Sequence, residues 1–190
     1  MTDSKDSVGE VPARLLAAAT SNYVNGGSFS VRQIADAAGV NHGQIHHYFG
    51  GKPELKRAML ERLSEDLLRS IEDATEASSP GVDDFAARAV QALTEDPSFA
   101  RALGRHLIED SDVAQRKFPV IAKLRARANA ADSERATFHL ATGLATSLGW
   151  ALFQPWIQQA LELSDRETQE ITASHVEQVS GGETLPPKDR

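Results

Sequence analysis

The segment from Ser30 to Leu55 constrains the fold more than any other part of this 190-residue chain. Ser30 stands three residues before Gln33, and Asn41 stands three residues before Gln44. A small polar residue followed three positions later by Gln is the capping-box pattern with which many helices begin. The spacing therefore predicts two short helices that start eleven residues apart and are joined by a tight turn.

The turn between these helices is predicted at Gly39, because glycine adopts the left-handed conformation that ends a helix without steric cost. Ile45 and Phe49 lie four residues apart, so they share one face of the second helix and its polar residues face the other way. Two short helices joined by a turn that contains glycine are typical of a helix-turn-helix, whose second helix enters the major groove. We therefore expect this segment to read DNA.

The same segment resembles the N-terminal signature of the TetR family of bacterial transcriptional regulators. One departure is visible: the family usually has Tyr where this chain has His46, so a contact made by that Tyr in relatives is not carried over. The resemblance covers about the first third of the chain, and the rest is similar to the family only in length and helical pattern. The matching residues are Ile34-Ala35, Ala38-Gly39-Val40, Gly43, Ile45, Tyr48-Phe49, Lys52 and Leu55.

The predicted fold class is all-α, with a three-helix DNA-binding head followed by a larger helical domain for ligand binding and dimerisation. We assign residues 1–10 to a disordered arm, 11–52 to the head, 53–180 to the larger domain and 181–190 to a disordered tail. The first helix is predicted to begin at Val11, with Pro12 in its opening turn. A long helix from Pro53 to about Ala74 should connect the two domains, because one apolar stripe recurs every four residues along it: Leu55, Met59, Leu63, Leu67 and Ile71.

The larger domain is predicted to contain four further helical stretches and a terminal helix. The stretches cover residues 82–94, about 97–107, 113–128 and 132–163, and Pro119 must either start the third of them or kink it. Ser164 and Glu167 form a third capping-box pattern, which predicts a last helix that reaches about Val179.

Composition narrows the classes of function. A formal net charge of −7 argues against a protein that coats nucleic acid indiscriminately, whereas the segment from Ser30 to Lys52 carries Arg32 and Lys52 against one carboxylate, Asp36. The absence of Cys removes disulfides, thiolate zinc sites and cysteine nucleophiles. The N-terminus has neither the basic start nor the apolar run of a signal peptide, and no apolar stretch reaches the length of a membrane span, so we expect a cytosolic protein.

Within the head, side-chain chemistry suggests two roles. The amide of Gln44 has the geometry to pair with adenine, Arg32 can reach guanine, and His47 shares the face of Gln44. Relatives with matching residues imply phosphate contacts for Tyr48 and Lys52. The complete predicted DNA-binding set is Ser30, Val31, Arg32, His42, Gly43, Gln44, His46, His47, Tyr48 and Lys52.

The clustered histidines also permit a metal hypothesis. His42 and His46 lie four residues apart, a spacing at which two imidazoles can share one zinc ion. The helix offers no Asp, Glu or Cys as a third ligand, so we favour hydrogen bonds from these histidines to bases or phosphates. No catalytic signature is present, so we predict neither an enzyme nor a metal or other cofactor.

The resemblance further implies a ligand cavity in the larger domain and a dimer interface formed by its last two long helices. The alternatives are ordinary core packing for the aromatic residues and tight packing within one subunit for the small ones. The candidate interface residues are Gly143, Thr146, Ser147 and Trp150. The candidate pocket residues are Phe85, Phe99, Leu103, His106, Phe118, Phe138, Trp150 and Phe153.

Together these features predict a ligand-responsive transcriptional repressor that binds a palindromic operator as a homodimer and is released by a small apolar effector. Its expected partners are double-stranded operator DNA, that effector and a second copy of itself, with no membrane. Two alternatives remain open: a helical small-molecule-binding protein without operator recognition, and a histidine-metal enzyme. A gel shift separates the first alternative from the repressor, and metal analysis tests the second.

Overall fold

A computed structural model describes residues 6–76, 85–109, 118–130 and 134–181. All regular structure in these ranges is α-helical, which confirms the predicted fold class. The predicted elements at residues 1–5, 82–84, 113–117, 132–133 and 182–190 lie outside the described residues. The helices are α1 (Asp6–Val24), α2 (Val31–Ala37), α3 (Gly43–Phe49), α4 (Lys52–Glu76), α5 (Phe85–Glu95), α6 (Ser98–Glu109), α7 (Pro119–Ala130), α8 (Glu134–Ala160) and α9 (Asp165–Gly181).

Helices α1 to α3 form a compact head because each contributes a fully buried side chain to one apolar core. Leu15 of α1, Ile34 of α2 and Ile45 of α3 have no exposed surface, and Leu55 at the start of α4 joins them. Burying side chains of this size stabilises the head by about 1.5–3 kcal/mol each. Packing on the buried face of α3 thus fixes the orientation of this helix in the head.

Helix α4 connects the head to the rest of the protein, as predicted from its apolar stripe. All five stripe residues are buried, and α4 packs against α1, α3, α5, α6 and α7. Two polar residues of α4, Lys56 and Ser64, are buried as well, which the stripe did not predict. The hydroxyl of Ser64 accepts a hydrogen bond from the backbone N–H of Val120, in the first turn of α7, at 3.3 Å.

The start of α1 differs from the prediction. The helix begins at Asp6, so residues 6–10 are helical and do not belong to a disordered arm, and Pro12 lies inside the helix. The absence of apolar periodicity before Val11 was misleading, because a helix stabilised by packing further along extends through polar residues by adding one hydrogen bond per residue. Pro12 withholds only one N–H, that to the carbonyl of residue 8.

The three capping-box patterns are realised to different extents. The Ser30 hydroxyl accepts from the N–H of Gln33, but the Gln33 side chain accepts from Ser28 instead of returning to Ser30. The Asn41 side chain accepts from the N–H of Gly43, two residues on, so a full box at this position was wrong.

The terminal box is complete. The Glu167 carboxylate accepts from the N–H of Ser164 at 2.8 Å, and the Ser164 hydroxyl accepts from the N–H of Glu167 at 3.3 Å.

The remaining helices of the larger domain lie close to their predicted positions. Asp96 caps α6 through a hydrogen bond from the N–H of Ser98 at 2.9 Å. Pro119 begins α7 and does not kink it, in keeping with the fixed φ that suits proline to a first turn. None of the described helices is both long and apolar enough to cross a membrane.

Candidate nucleic-acid interface

Two glycines in the left-handed conformation fix the angles around α3. Gly39 ends α2 with a φ of +65°, and the N–H of the following Val40 donates to the carbonyl of Ala35 at 3.0 Å. Gly50 ends α3 with a φ of +86°, and its N–H donates to the carbonyl of His46 at 3.0 Å. Any other residue would be strained at these positions, so the two glycines set how α3 projects from the head.

The two faces of α3 differ as predicted. Ile45 points into the core, while the side chains of His42, His46 and His47 are exposed. Gly43 is exposed too, and Gln44 is half-buried. The helix therefore presents imidazoles and one amide to solvent, which can hydrogen bond to bases or phosphates, and the exposed backbone at Gly43 carries no side chain that would keep DNA at a distance.

The flanking predicted residues lie at the first turns of α2 and α4. Arg32 and Lys52 are exposed, whereas Val31 and Tyr48 are half-buried and pack against the core of the head. Ser30 caps α2, so its hydroxyl already accepts a hydrogen bond from the N–H of Gln33. The structure thus gathers the predicted set around α3, with exposed cations on either side of it.

Two local contacts on this surface had no signal in the sequence. The rings of His47 and Tyr48 meet edge to face, with 4.8 Å between their centroids. A Cβ on Gly51 would lie 3.4 Å from a carboxylate oxygen of Glu54 and 3.7 Å from the ring of His46. A carboxylate therefore lies near the position where the family usually has Tyr. The described residues include no group of three or more His, Cys, Asp or Glu side chains that could hold a metal ion.

The predicted pocket residues that the structure describes differ in burial, and the ligand pocket itself stays a prediction. Phe99, Leu103, His106 and Phe118 are buried, and the rings of Phe99 and Phe118 pack edge to face at 5.5 Å. Phe138, in contrast, is 54% exposed. Aromatic residues at helical spacing indicate an apolar face, but spacing along one helix does not reveal which neighbour covers that face.

The two other aromatic candidates, Trp150 and Phe153, line a different feature. It is an open groove of about 450 Å³ between α8 and α9. The side chain of Phe85 is not among those that the structure describes. The groove is also lined by residues that were not predicted to form a pocket, although they recur at helical spacing: Gly149, Ile157, Ile171, Ser174, His175 and Gln178.

The predicted interface residues also divide. Thr146 and Trp150 line the groove, whereas Ser147 is buried against α9 of its own subunit, and the dimer interface stays a prediction. Its hydroxyl oxygen lies 3.3 Å from Nε2 of His175 and donates to the carbonyl of Gly143 at 2.6 Å. Burial lowers the pKa of His175, so the imidazole that Ser147 contacts is neutral near pH 7.

Comparison with known proteins supports the interpretation of the head. The family described as "Bacterial regulatory proteins, tetR family" matches residues 25–59, which contain α2, α3 and the start of α4. The HTH-type transcriptional repressor Rv3405c of Mycobacterium tuberculosis is 30% identical over 171 residues, which cover 87% of this chain and 85% of the relative. The HTH-type transcriptional regulator Mb3439c of Mycobacterium bovis matches to the same extent.

Solved structures support the fold over most of the chain. The putative transcriptional regulator SCO4942 from Streptomyces coelicolor superposes with a TM-score of 0.62 at 20% identity, over 87% of this chain and 95% of that one. The TetR-family regulator SCO0857 from the same organism superposes with a TM-score of 0.50 at 22% identity, over 92% and 94% of the two chains. The arrangement of a small head on a larger helical domain is therefore shared with known structures.

Proposed function

We propose, since this chain belongs to the TetR family of bacterial regulatory proteins, that it is a repressor which binds a palindromic operator as a homodimer. The observation that carries the proposal is the exposed face of α3, held in place by the fully buried Ile45 and by turns at Gly39 and Gly50. Similarity to a repressor over most of both chains favours repression over activation.

The proposal assigns sequence reading to α3 and the first turn of α2. Gln44 and Arg32 carry the side chains suited to base edges, and Gly43 lets the backbone come close to the DNA. Lys52 and the first turn of α4 are assigned to a phosphate contact, because a lysine ammonium and the N-terminus of a helix both attract anions. The half-buried Tyr48 is assigned to the same phosphate contact.

The test of DNA binding is a gel shift with the DNA upstream of the gene, followed by selection from random sequence. We expect a palindrome with half-sites about one helical turn apart, roughly 34–36 Å, or further if the heads are splayed. A protein that binds no DNA but still binds small molecules would support the alternative of a sensor without operator recognition. The His46 substitution is the feature that favours that alternative.

The proposed dimer uses the exposed face of α8 and α9. Phe153 is 57% exposed and Trp156 is 67% exposed on α8, and Ile171 is 39% exposed on α9. Large apolar side chains that lie together at a surface mark sites of protein association. Between them Gly149 has nothing within 4 Å of a Cβ built on it, so a second helix could approach its backbone closely.

Substitution of Gly149 by Glu tests this interface. The new side chain would extend into open space in one subunit but would bury a carboxylate in a dimer, which costs several kcal/mol. Sedimentation should therefore show a dimer for the wild type and a monomer for Gly149→Glu. The control is Ala126→Glu, an exposed position on α7, which should remain dimeric. A dimeric Gly149→Glu protein would remove this face from the interface.

The effector is proposed to be small and largely apolar and to bind the larger domain. Helix α4 contacts both α3 and α6, so an effector that prefers one position of α6 can change the position of the head. Coupling of this kind is typically about 1–3 kcal/mol, and it is reciprocal. Thermal-shift screening should identify ligands. Calorimetry with and without operator then tests them, and equal affinities would show that the ligand is no inducer.

A further inference from the structure

A cluster of charged and aromatic side chains joins the end of α6 to the back of the head. One carboxylate oxygen of Glu109 accepts from Nζ of Lys56 at 2.7 Å and from the hydroxyl of Tyr23 at 2.9 Å. The other oxygen accepts from Nε of Arg105 at 2.7 Å. Residues from α1, α4 and α6 thus meet at a single carboxylate, and we call these four residues the head anchor.

Arg105 makes a second connection, to the backbone of the head. Its NH1 donates to the carbonyl oxygens of Tyr23, at 3.1 Å, and Gly27, at 2.8 Å. These carbonyls lie at the C-terminal end of α1 and in the turn towards α2, where the last carbonyls of a helix have no partner four residues further on within the helix. The guanidinium also lies over the ring of Tyr23, 4.4 Å from its centroid. A side chain of the larger domain therefore caps the first helix of the head.

Burial makes this cluster more than a surface ion pair. The side chain of Lys56 is only 9% exposed, and its ammonium lies 4.9 Å from the ring centroid of Tyr23 and 6.0 Å from that of Phe29. Burial opposes the ionisation of Glu109, but hydrogen bonds from Lys56, Arg105 and Tyr23 outweigh it and lower the pKa of the carboxyl to about 2. Glu109 is therefore ionised throughout the physiological range of pH.

The geometry of these contacts differs from that of the apolar core around them. Apolar burial is non-directional, so it specifies the orientation of the head on α4 less sharply than directed contacts do. Hydrogen bonds between charged groups have fixed lengths and angles, and a planar guanidinium that bonds several acceptors permits little rotation. The head anchor is thus suited to fix the orientation of the head on α4, without contacting DNA.

We propose that Arg105 and Glu109 are positioning residues for DNA binding, which set the orientation of each head and with it the half-site spacing that the dimer accepts. This inference rests on the proposed function, because spacing has meaning only for two heads on one operator. Neither residue reads bases, so the affinity of one head for one half-site does not depend on them.

The experiment uses operator DNA selected with the wild-type protein from random sequence. Full-length protein is titrated against this operator, against versions with one or two base pairs added or removed between the half-sites, and against a single half-site. The variants are Glu109→Gln and the milder Arg105→Lys, which keeps the positive charge but loses the planar guanidinium. The control is Glu61→Gln, which breaks an exposed Arg57–Glu61 pair of the same residue types and sequence spacing on α4, with 3.9 Å between its charged atoms.

We expect the wild type and Glu61→Gln to prefer the selected spacing. In Glu109→Gln and Arg105→Lys this preference should fall by about 5-fold or more, the lower end of ordinary coupling between sites, with unchanged affinity for the single half-site. An unchanged spacing preference overturns the inference, as does an equal loss of affinity on the single half-site, since that would mean a damaged head. A wild type that shows no spacing preference overturns the proposed palindromic operator itself. This failure of the proposed function can be distinguished from a failure of the present inference, because it is seen in the wild type without any variant.

Discussion

Replacement of Glu109 by Gln should destabilise the folded protein by an amount that depends on pH. The carboxyl pKa is lowered from 4.5 to about 2 in the folded state, which corresponds to roughly 3 kcal/mol of stabilisation when the group is ionised. The side chain is 38% exposed, so solvent screening reduces this figure, and we expect about 1–2 kcal/mol at pH 7. Gln keeps the shape of the side chain and can accept hydrogen bonds, but it provides no negative charge opposite Lys56.

The direction of the pH dependence follows from the lowered pKa. A carboxyl that binds protons less readily when folded stabilises the protein fully above its unfolded pKa, and this contribution disappears as the pH falls through the folded pKa. The stability difference between wild type and Glu109→Gln should therefore be constant from about pH 8 to pH 5.5 and should shrink from about pH 4.5 towards pH 2. Other carboxylates titrate in both proteins, so their effects cancel in the difference.

Urea unfolding at several values of pH and one fixed protein concentration measures this difference. Glu170→Gln serves as the control, because its partner Arg166 is 88% exposed and the pair should contribute little at any pH. A difference for Glu109→Gln that stays the same down to pH 3, or a loss in Glu170→Gln as large as that in Glu109→Gln, would refute the electrostatic argument.

Four further substitutions test the head. Gln44→Ala should cost about 1–3 kcal/mol of binding free energy on the true operator and relax the preference at one base pair per half-site. Lys52→Ala should weaken binding to all DNA sequences alike and reduce the salt slope by about 1. The reverse pattern in binding titrations would exchange the roles of the two residues. Gly39→Ala should destabilise the protein by about 1–2 kcal/mol in thermal unfolding. Nothing lies within 4 Å of the added Cβ, so the cost comes from the positive φ alone. An unchanged melting temperature would argue against this strain. Ile45→Ala should cost about 2–5 kcal/mol in urea unfolding through the cavity it leaves, and a smaller loss would mean that the core behind α3 collapses to fill it.

Local signals in the sequence predicted most of the head correctly. Gly39 could be identified because a left-handed turn needs glycine, and the stripe on α4 because its period of four residues is that of a helix with one buried face. The box at Ser164 and Glu167 also formed as predicted, since both partners lie within one turn of the chain. These features depend only on residues that are near each other in sequence.

Features that depend on distant residues could not be predicted in this way. Glu109 lies 86 residues from Tyr23 and 53 from Lys56, and no pattern along the chain indicates that they meet. Ser147 was placed in an interface because small residues surround it, yet its partner is His175 in the same subunit. The α8 helix carries apolar residues on several faces, so periodicity could not tell which of them would pack inward and which, such as Phe153, would remain exposed.

The position of Lys56 bears on how such proteins can exchange heads through recombination. Lys56 contacts the rings of Tyr23 and Phe29 on the head, and it pairs with Glu109 in the larger domain. A crossover before Lys56 separates it from its aromatic neighbours, and a crossover between Lys56 and Glu109 separates it from its carboxylate. A chimaera made by either crossover can therefore keep all contacts of this buried cation only if the two parents carry matching residues here, which limits the relatives from which a new head can be taken.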